Sequence, residues 1–504
     1  MSSRQLLKGT LILTCAGIIT RILGFFYRIY LSNIIGAVNL GIYQLVFPVY
    51  GICHTIYVSG IQTSLSKKVA ELNNKNTPNT AVNYLVHALI LSVIPASLLL
   101  IVVYAGSDFI ANRFLFEPRS AICLRYMAPI FPVCAVTACI NGYYYGLKST
   151  KIPAISQLIE QTSRIVSILF LTISGILNST SGCLIAVIGL IAGELFSCLF
   201  NITSVIRCET IKINLKRTYF LHILTPATAL TANRLLVNIL GSIESTLIPV
   251  MLKRYGLNCE QSLALYGTLT GMSLPFIMFP STIAGSFSVM LLPEVSQANA
   301  IGDKTHIKKI TTDVISISVI VGACATSLFL LFGNELGILV FSSKEAGYFI
   351  SVLSWICPFL YLSITFSSIL NGLGKTTLVL INSMIGLAIR IVLLITLIPI
   401  HGLTGYLYAL LVSQILITIM DIVAIKICVN PTMNIAIKVL FPFISAFVIT
   451  FPLKKLYILL INIININSRI YSLCILFFIC LICCGIYFSI YARNFKFNKR
   501  KLTK

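Results

Sequence analysis

Segments of about twenty apolar residues recur along the whole chain, and they constrain its fold more than any other feature. A helix of about that length crosses the hydrocarbon core of a bilayer, which is roughly 30 Å thick. Inside a bilayer the backbone must satisfy its own hydrogen bonds, and a helix does so within each segment. A mean hydropathy of +0.96 with only 10% charged residues excludes a soluble protein. The sequence therefore predicts an all-α polytopic membrane protein with about fourteen transmembrane helices.

The chain is strongly basic, with a formal net charge of +23, and the placement of this charge predicts the orientation in the membrane. Basic residues concentrate in alternate loops, among them those with Lys67 and Lys68, Lys148 and Lys151, and Lys304, Lys308 and Lys309. Positively charged loops stay on the cytoplasmic side, so we expect a cytoplasmic-membrane protein with both termini in the cytoplasm. This pattern accounts for the charge without a nucleic-acid partner. Two loops predicted on the opposite side also carry cations, namely Lys253-Arg254 and Lys454-Lys455 with Arg469.

An internal repeat predicts how the spans are grouped. The stretch Gly146-Leu147-Lys148-Ser149-Thr150, followed by Arg164-Ile165-Val166, resembles Gly372-Leu373-Gly374-Lys375-Thr376, followed by Arg390-Ile391-Val392. By our count six spans separate the two copies, so both have the same orientation. We expect two six-helix lobes, residues 1–220 and 221–430, in a parallel pseudo-twofold repeat, and two further helices within residues 431–504. Such repeats enclose a central cavity, where transporters bind substrate.

Five arginines fall inside the predicted spans, and they are Arg21, Arg28, Arg164, Arg234 and Arg390. An arginine at the centre of a span costs roughly 2.5–3.5 kcal/mol, so it is expected to face a wet or paired interior. Arg21 and Arg28 are two helical turns apart in the first span, on one face and about 10 Å from each other. Guanidinium forks suit the oxygens of a diphosphate, so all five except Arg164 are candidate substrate-binding residues of the cavity. The alternative is that each arginine snorkels or pairs with a carboxylate on a neighbouring helix.

Acidic residues inside the spans are fewer, and they are Glu160, Glu194 and Glu244, with Asp421 nearer a cytoplasmic end. Glu160 precedes Arg164 by one helical turn, the order that favours an ion pair on one helix face. In the second copy of the repeat Gly386 replaces the glutamate, so Arg390 has no such partner on its own helix. We expect structural or ion-coupling roles for the three glutamates and Arg164. The remaining arginines leave the cavity net positive, which favours an anionic substrate.

Histidine and cysteine give weaker signals. His54 is the one histidine deep enough in a span to line the cavity, and a packed core histidine is the alternative. Cys480, Cys483 and Cys484 lie in mid-span without a nearby histidine or carboxylate, so we interpret them as apolar residues and not as a metal or redox site. We predict no metal, no cofactor and no catalytic residue.

Several stretches are similar to the multidrug/oligosaccharidyl-lipid/polysaccharide exporter superfamily, and within it to the stage V sporulation protein B branch of spore-forming bacteria. They include Thr20-Arg21-Ile22-Leu23-Gly24-Phe25, Ser66-Lys67-Lys68-Val69-Ala70-Glu71, Gly142-Tyr143-Tyr144-Tyr145-Gly146-Leu147 and a run from Tyr266 through Phe279-Pro280-Ser281-Thr282 to Pro293. The resemblance covers nearly the whole chain. It implies a two-lobed fold of fourteen helices that flips undecaprenyl-diphosphate-linked sugars. For this branch it implies lipid II, the peptidoglycan precursor, in spore cortex formation.

The same resemblance implies roles for individual residues, because cavity arginines of the related lipid II flippases hold the diphosphate. Arg21 matches the first arginine of their first-span motif, Arg28 lies one residue after their second, and Arg234 matches an arginine of their C-terminal lobe. Those flippases also carry an arginine shortly before the glycine that matches Gly60, where this chain has Cys53-His54-Thr55. This departure leaves the identity of the lipid-linked sugar open.

The sequence thus predicts a flippase that works by alternating access and is not an enzyme. Its expected partners are an anionic polyprenyl-diphosphate-linked sugar, membrane lipid and cell-wall synthesis enzymes, and coupling to the membrane potential or an ion gradient stays open. A multidrug or cation exporter of the same superfamily would need a cavity dominated by carboxylates, against which the arginine excess counts. A membrane transferase would need carboxylates or histidines at a membrane face, usually with a large loop. A non-transporting scaffold for cell-wall synthesis is the remaining alternative.

Overall fold

The computed structural model describes residues 3–73, 78–174, 182–208, 217–430, 436–464 and 468–502. All regular structure in these residues is helical, and none of them lies in a β-strand. This confirms the predicted all-α fold class. Residue 431, where the two C-terminal helices are predicted to begin, lies outside the described residues. By their contacts the residues form two compact units, Met1–Gly267 and Thr268–Lys504.

The first unit consists of ten helices in its described part, with a π-helical segment, Thr55–Ser59, between the first two. The helices are α1 (Ser3–His54), α2 (Gly60–Asn73), α3 (Pro78–Ala105), α4 (Ser107–Arg113), α5 (Ser120–Met127), α6 (Ile130–Gly146), α7 (Lys151–Ile173), α8 (Gly182–Cys208), α9 (Arg217–Arg254) and α10 (Cys259–Gly267). Its core lies where α2, α3, α6, α8 and α9 meet, and includes Leu65, Val69, Leu85, Tyr143 and Ile223.

The second unit begins with a π-helical segment, Thr268–Ser273. The helices of its described part are α11 (Leu274–Met278), α12 (Ser281–Ile301), α13 (Lys304–Phe341), α14 (Lys344–Leu353), α15 (Cys357–Gly372), α16 (Thr376–His401), α17 (Leu403–Cys428), α18 (Phe441–Ile464) and α19 (Arg469–Leu502). A short 3-10 turn, Ser354–Ile356, precedes α15, and a second π-helical segment, Ala436–Leu440, precedes α18. One core joins α12, α13, α15 and α17, and another joins α13, α18 and α19.

The long helix α1 changes direction at Gly36, where the chain passes from the first predicted span to the second. Gly36 has φ 74° and ψ 169°, a conformation that glycine adopts without steric cost. The apolar helical stretch Cys15–Leu72 is 58 residues long. A straight helix of that length would measure about 87 Å, nearly three times the hydrocarbon core of a bilayer. The turn at Gly36 therefore gives this stretch the geometry of two spans.

Ten helical stretches of the described residues are long and apolar enough to cross a membrane, by length and composition. A bent pair, Ser120–Met127 with Ile130–Gly146, makes eleven if it is counted as one span. The ten include the 58-residue stretch that turns at Gly36, and they leave out α7, which carries several charged residues. The chain is therefore a multi-pass membrane protein, and the number of fourteen spans stays a prediction.

The two copies of the internal repeat form the same local structure, each within its own unit. In both, a helix ends at the first glycine of the repeat, Gly146 or Gly372, and the next helix begins a few residues later. A Cβ at Gly146 would lie 2.7 Å from the carbonyl oxygen of Ser66 on α2, and one at Gly372 would lie 3.1 Å from that of Leu292 on α12. Each glycine therefore permits a close helix contact at the same point of the repeat.

Contacts divide the chain at Gly267, which places α9 in the first unit, where it packs on α1 and α2. The lobe boundaries at residues 220 and 430 rest on the repeat and stay a prediction. A disulfide bond joins Cys123 of α5 to Cys183 of α8, with Cα atoms 6.7 Å apart. Both cysteines lie near helix ends that the predicted topology places on the outer side, where disulfides persist. No sequence signal pointed to this pair.

Three of the cations that depart from the predicted charge pattern lie in the second unit, and two of them have structural partners on α13. Lys454 of α18 forms an ion pair with Glu335. Arg469, the first residue of α19, donates hydrogen bonds to the carbonyl oxygens of Leu339 (2.7 Å) and Val340 (3.1 Å). These carbonyls belong to the last turn of α13, where a cation also stabilises the helix dipole. Lys454 and Arg469 thus hold α18 and α19 against α13.

Candidate functional site

The two arginines of the first predicted span lie on α1, and both side chains are exposed although the helix is largely apolar. Arg21 forms no hydrogen bond or ion pair with any residue that the structure describes. Arg28 interacts electrostatically with Tyr27 and Tyr43, whose side chains are buried, and with Arg164 of α7. Arg28 therefore has a polar protein environment, and the guanidinium of Arg21 is available to a ligand or to water.

α7 packs on α1 and brings its charged residues to that helix. Gln161 of α7 lies beside Gly24 of α1, where a Cβ would be 3.5 Å from its amide nitrogen, an ordinary van der Waals distance. Arg164 lies three residues after Gln161 on α7, and its positive charge acts unfavourably on that of Arg28. Its Nη2 atom lies 2.6 Å from Oε1 of Glu160, so the structure contains the ion pair expected within this helix. Glu160 thereby offsets one of two neighbouring positive charges.

Glu194 of α8 adds a second carboxylate to this cluster. The preceding Gly193 packs closely on α7, where a Cβ would lie 2.8 Å from the carbonyl oxygen of Glu160 and 3.4 Å from Nε of Arg164. Glu194 interacts electrostatically with both of these residues. Arg28, Arg164, Glu160 and Glu194 thus form a cluster with equal numbers of basic and acidic groups, which we call the α1–α7–α8 charge cluster. The cluster therefore has no positive excess, and Arg21 and Arg234 lie outside it.

Arg234 of α9 lies beside the π-helical segment that joins α1 to α2. Its Nη1 atom donates a hydrogen bond of 3.0 Å to the hydroxyl of Ser59, and Asn238, one turn later, donates to the hydroxyl of Thr55. Gly60 follows the segment, and only a residue without a side chain leaves room there for the backbone of α9. π-helical segments often occur at functional sites. Arg234 is exposed, and it has no carboxylate within ion-pair distance among the described residues.

Two other predicted residues of the first unit have different surroundings. The ring of His54 is half-buried, with its centroid 5.5 Å from that of Tyr50 and 5.7 Å from that of Tyr57. Glu244 is buried within α9. Tyr50 and Tyr57 both interact electrostatically with Glu194, so His54 borders the α1–α7–α8 charge cluster.

Arg390 lies in the second unit, at the repeat position of Arg164, and its environment differs from that of Arg164. Its Nε atom donates a hydrogen bond of 2.7 Å to the hydroxyl of Ser413 on α17. Gly386, at the repeat position of Glu160, packs against the side chain of Ile417 so closely that a Cβ would clash. At the repeat position of Glu160, the second unit therefore has a close helix contact in place of a carboxylate.

Sequence reasoning missed the neutral polar partners of these charges. Ser59, Thr55 and Asn238 carried no signal, because single hydroxyls and amides are common in apolar spans and their partners lie far away in sequence. In the second unit, buried Asp421 accepts hydrogen bonds from Asn382 (2.8 Å) and Ser363 (3.0 Å).

The described residues contain no group of three or more His, Cys, Asp or Glu side chains that could hold a metal ion.

Comparison with known proteins shows which family the sequence matches. Residues 6–299 match the family described as polysaccharide biosynthesis protein. Stage V sporulation protein B of Bacillus subtilis (strain 168) is 25% identical over 454 residues, which are 87% of this chain and 86% of that protein. The lipid II flippase MurJ of the same organism is 23% identical over 467 residues, 84% of this chain and 83% of that protein.

The fold also matches solved structures. A structure of the lipid II flippase MurJ in an inward closed conformation aligns with a TM-score of 0.72 and 15% identity, over 96% of this chain and 99% of that one. At this identity the match shows the fold alone. It agrees with the family match, which covers more than half of the chain. The chain is therefore a multi-pass membrane protein that belongs to the family of polysaccharide biosynthesis proteins.

Proposed function

We propose that the protein is a flippase that moves an undecaprenyl-diphosphate-linked sugar from the inner to the outer leaflet of the cytoplasmic membrane. Lipid II is the first substrate to test, because MurJ, at 23% identity, is described as a lipid II flippase. A role in spore cortex formation and contacts with cell-wall synthesis enzymes belong to the same proposal, because the other relative is described as a sporulation protein. In this proposal both termini are cytoplasmic.

The observation that carries the proposal is the set of exposed arginines on apolar helices of the first unit. Arg21 and Arg234 keep exposed side chains outside the α1–α7–α8 charge cluster, and neither has an ion-pair partner among the residues that the structure describes. Arg28 is exposed as well, but Glu160 and Glu194 balance its charge and that of Arg164. A lone guanidinium at membrane depth is costly, and an anionic ligand in a wet cavity lowers that cost. Arg234 also lies beside the segment where the related flippases carry an arginine and this chain does not.

The chemistry of a diphosphate suits these groups. Each guanidinium can donate two parallel N–H bonds to phosphate oxygens, and a charge-assisted bond contributes roughly 1.5–3 kcal/mol. These bonds offset part of the cost of removing the headgroup from water. The polyprenyl chain is as apolar as the lipid around it and stays in the bilayer while the headgroup crosses. Alternating access between the repeats then moves the headgroup without making or breaking a covalent bond.

The α1–α7–α8 charge cluster has two roles in this proposal. The pair of Glu160 and Arg164 holds α7 in a defined position, and Glu194 is the candidate for coupling transport to a proton or cation gradient. A carboxylate within a membrane protein takes up a cation or a proton more readily than it stays charged and unpaired. Glu244, buried on α9, is the second candidate for coupling.

The test is a flipping assay with the purified full-length protein in liposomes. Three separate preparations carry fluorescent lipid II, an undecaprenyl diphosphate with a different sugar, and a fluorescent organic cation. We expect protein-dependent movement of at least one lipid-linked sugar and none of the cation. Movement of the cation alone would favour the multidrug exporter and overturn the proposal. If nothing moves with or without an imposed pH or Na⁺ gradient, while the protein remains folded, the scaffold alternative replaces it.

A further inference from the structure

A recess at the C-terminal end of α9, in the first unit, combines cationic and apolar side chains. It has a volume of about 510 Å³ and is lined by Asn112, Phe116, Pro118, Val250, Lys253 and Arg254. The predicted topology places this end of α9 on the outer side, where cationic residues near a span are uncommon. The rule that positive charges stay on the cytoplasmic side therefore does not explain why Lys253 and Arg254 lie in this recess.

The positive charge of the recess is not neutralised by its protein neighbours. Lys253 donates a hydrogen bond of 3.2 Å to the carbonyl oxygen of Phe116, which orients the ammonium group without cancelling its charge. Arg254 is exposed and forms no hydrogen bond or ion pair with any described residue. The acidic side chains nearby are already engaged, because Glu117 (2.6 Å) and Glu260 (3.9 Å) both pair with Arg119 and Asp108 pairs with Arg125.

The cations that the predicted topology places on the outer side have different surroundings in the two units. In the second unit, Lys454 has a carboxylate partner and Arg469 caps a helix. In the first unit, Arg254 has no such role. The C-terminal end of a helix attracts cations because its dipole leaves about half a negative charge there. Two full positive charges at the end of α9 exceed that half charge, so an anion is still attracted.

We propose that this recess binds the phosphate group of an anionic ligand at the outer face of the cytoplasmic membrane. The fork of Arg254 suits two phosphate oxygens, and Lys253 supplies a second charge. Phe116, Pro118 and Val250 form an apolar wall, which suits the glycerol and first acyl carbons of a phospholipid. The phosphate can come from a lipid headgroup or from a soluble phosphate. This site does not depend on which substrate the protein transports.

The experiment uses the full-length protein in an uncharged detergent and two probes that distinguish the sources of phosphate. Native mass spectrometry measures retention of phosphatidylglycerol, with phosphatidylcholine as the zwitterionic reference. Calorimetric titration measures binding of inorganic diphosphate. The main variant is Arg254→Gln, because Lys253 also holds the Phe116 carbonyl. Arg113→Gln is the matched control, since Arg113 is an exposed cation in the last turn of α4 and does not line the recess.

We expect the parent protein to retain phosphatidylglycerol over phosphatidylcholine, and Arg254→Gln to weaken this retention about tenfold, the loss that one charge-assisted contact predicts. Arg113→Gln should stay within about twofold of the parent. Diphosphate binding that Arg254→Gln removes, without lipid retention, would assign the site to a soluble phosphate. Equal binding of both probes by Arg254→Gln and the parent, or an equal loss in Arg113→Gln, would overturn the proposal. If Arg254→Gln folds poorly, Arg254→Lys keeps the charge and should still weaken binding by loss of the fork.

Discussion

Glu160 and Arg164 lie one turn apart on α7, and their side chains form an ion pair with 2.6 Å between Oε1 and Nη2. The pair is the one part of the α1–α7–α8 charge cluster that lies within a single helix. Arg28 of α1 and Glu194 of α8 interact electrostatically with it. The pair therefore sets the balance of charge where three helices of the first unit come together.

Neutralising either partner should lower the yield of folded protein. Glu160→Gln leaves Arg28 and Arg164 with only Glu194, and Arg164→Gln leaves Glu160 and Glu194 with only Arg28, so each variant leaves one uncompensated charge inside the protein. Monodisperse yield after fluorescence-detected size-exclusion chromatography measures the effect. Exchanging the two residues should restore yield only in part, because the new glutamate at position 164 would face Glu194. Normal yield with lost transport in both single variants would place the pair in the substrate path instead.

Transport should depend on the forked guanidinium groups of the first unit and not only on their positive charge. Replacing Arg21, Arg28 or Arg234 with lysine keeps the charge and removes bidentate contact, so the flipping rate should fall about tenfold or more while yield persists. Alanine should be worse, because both charge and contact are lost. Ser59→Ala is the matched control for Arg234, since it removes one hydrogen bond and leaves the guanidinium. Parent rates in all the lysine and alanine variants would make these arginines structural.

The loop before α5 should lose stability in acid. Burial acts to raise the pKa of Glu117, but hydrogen bonds from Arg119 (2.6 Å) and Cys259 (3.0 Å) outweigh it and lower this pKa from 4.5. A carboxyl with a lowered pKa stabilises the fold fully above its ordinary pKa, and that contribution is lost as the pH falls through the lowered value. The melting temperature of the parent should exceed that of Glu117→Gln above about pH 4.5, by an amount that corresponds to roughly 1–3 kcal/mol. The two curves should converge at lower pH. A difference that does not change between pH 3 and 7 would contradict this assignment.

The ion pair between Lys454 and Glu335 should stabilise the docking of α18 on α13. Both side chains are mostly buried, so removing one partner leaves a charge in an apolar setting, at a cost on the order of 1–3 kcal/mol. Glu335→Gln and Lys454→Met should each lower the melting temperature by several degrees. The double variant should recover part of that loss, because neither charge then remains unpaired. Additive losses in the double variant would show that the two residues act independently.

The predicted topology can be tested with fused reporters and with the disulfide bond. If basic loops are cytoplasmic, reporters fused after Arg207 and Lys504 should report the cytoplasm, and one after Glu117 the outside. The disulfide between Cys123 and Cys183 should then form in intact cells and be found as a linked peptide by mass spectrometry without reduction. Free thiols at both positions in freshly isolated membranes, or a C-terminal tail outside, would reverse the predicted sidedness.

Local features of the sequence determined a large part of the fold. Apolar segments long enough to cross a bilayer predict helices, because a helix alone satisfies its backbone hydrogen bonds without a neighbour. The pair Glu160–Arg164 was predictable for the same reason, since helical geometry fixes residues one turn apart on one face. The two copies of the repeat are similar in sequence and also in local structure, since a helix ends at Gly146 in one and at Gly372 in the other. The number of spans and the lobe boundaries remain predictions.

Only the tertiary structure decided which residues meet across helices. Hydropathy defines where a span begins and ends, but it does not fix the rotation of the helix about its axis or the choice of neighbours, because lipid and protein interior are similarly apolar. The interaction of Arg28 with Tyr43 was therefore not predictable, and Arg234 had no predictable partner until α9 reached Ser59. The recess at Arg254 was hidden for the same reason, since Asn112 approaches it from a distant part of the chain. The sequence determined the helices and their local pairs, and the packing of the helices determined the sites.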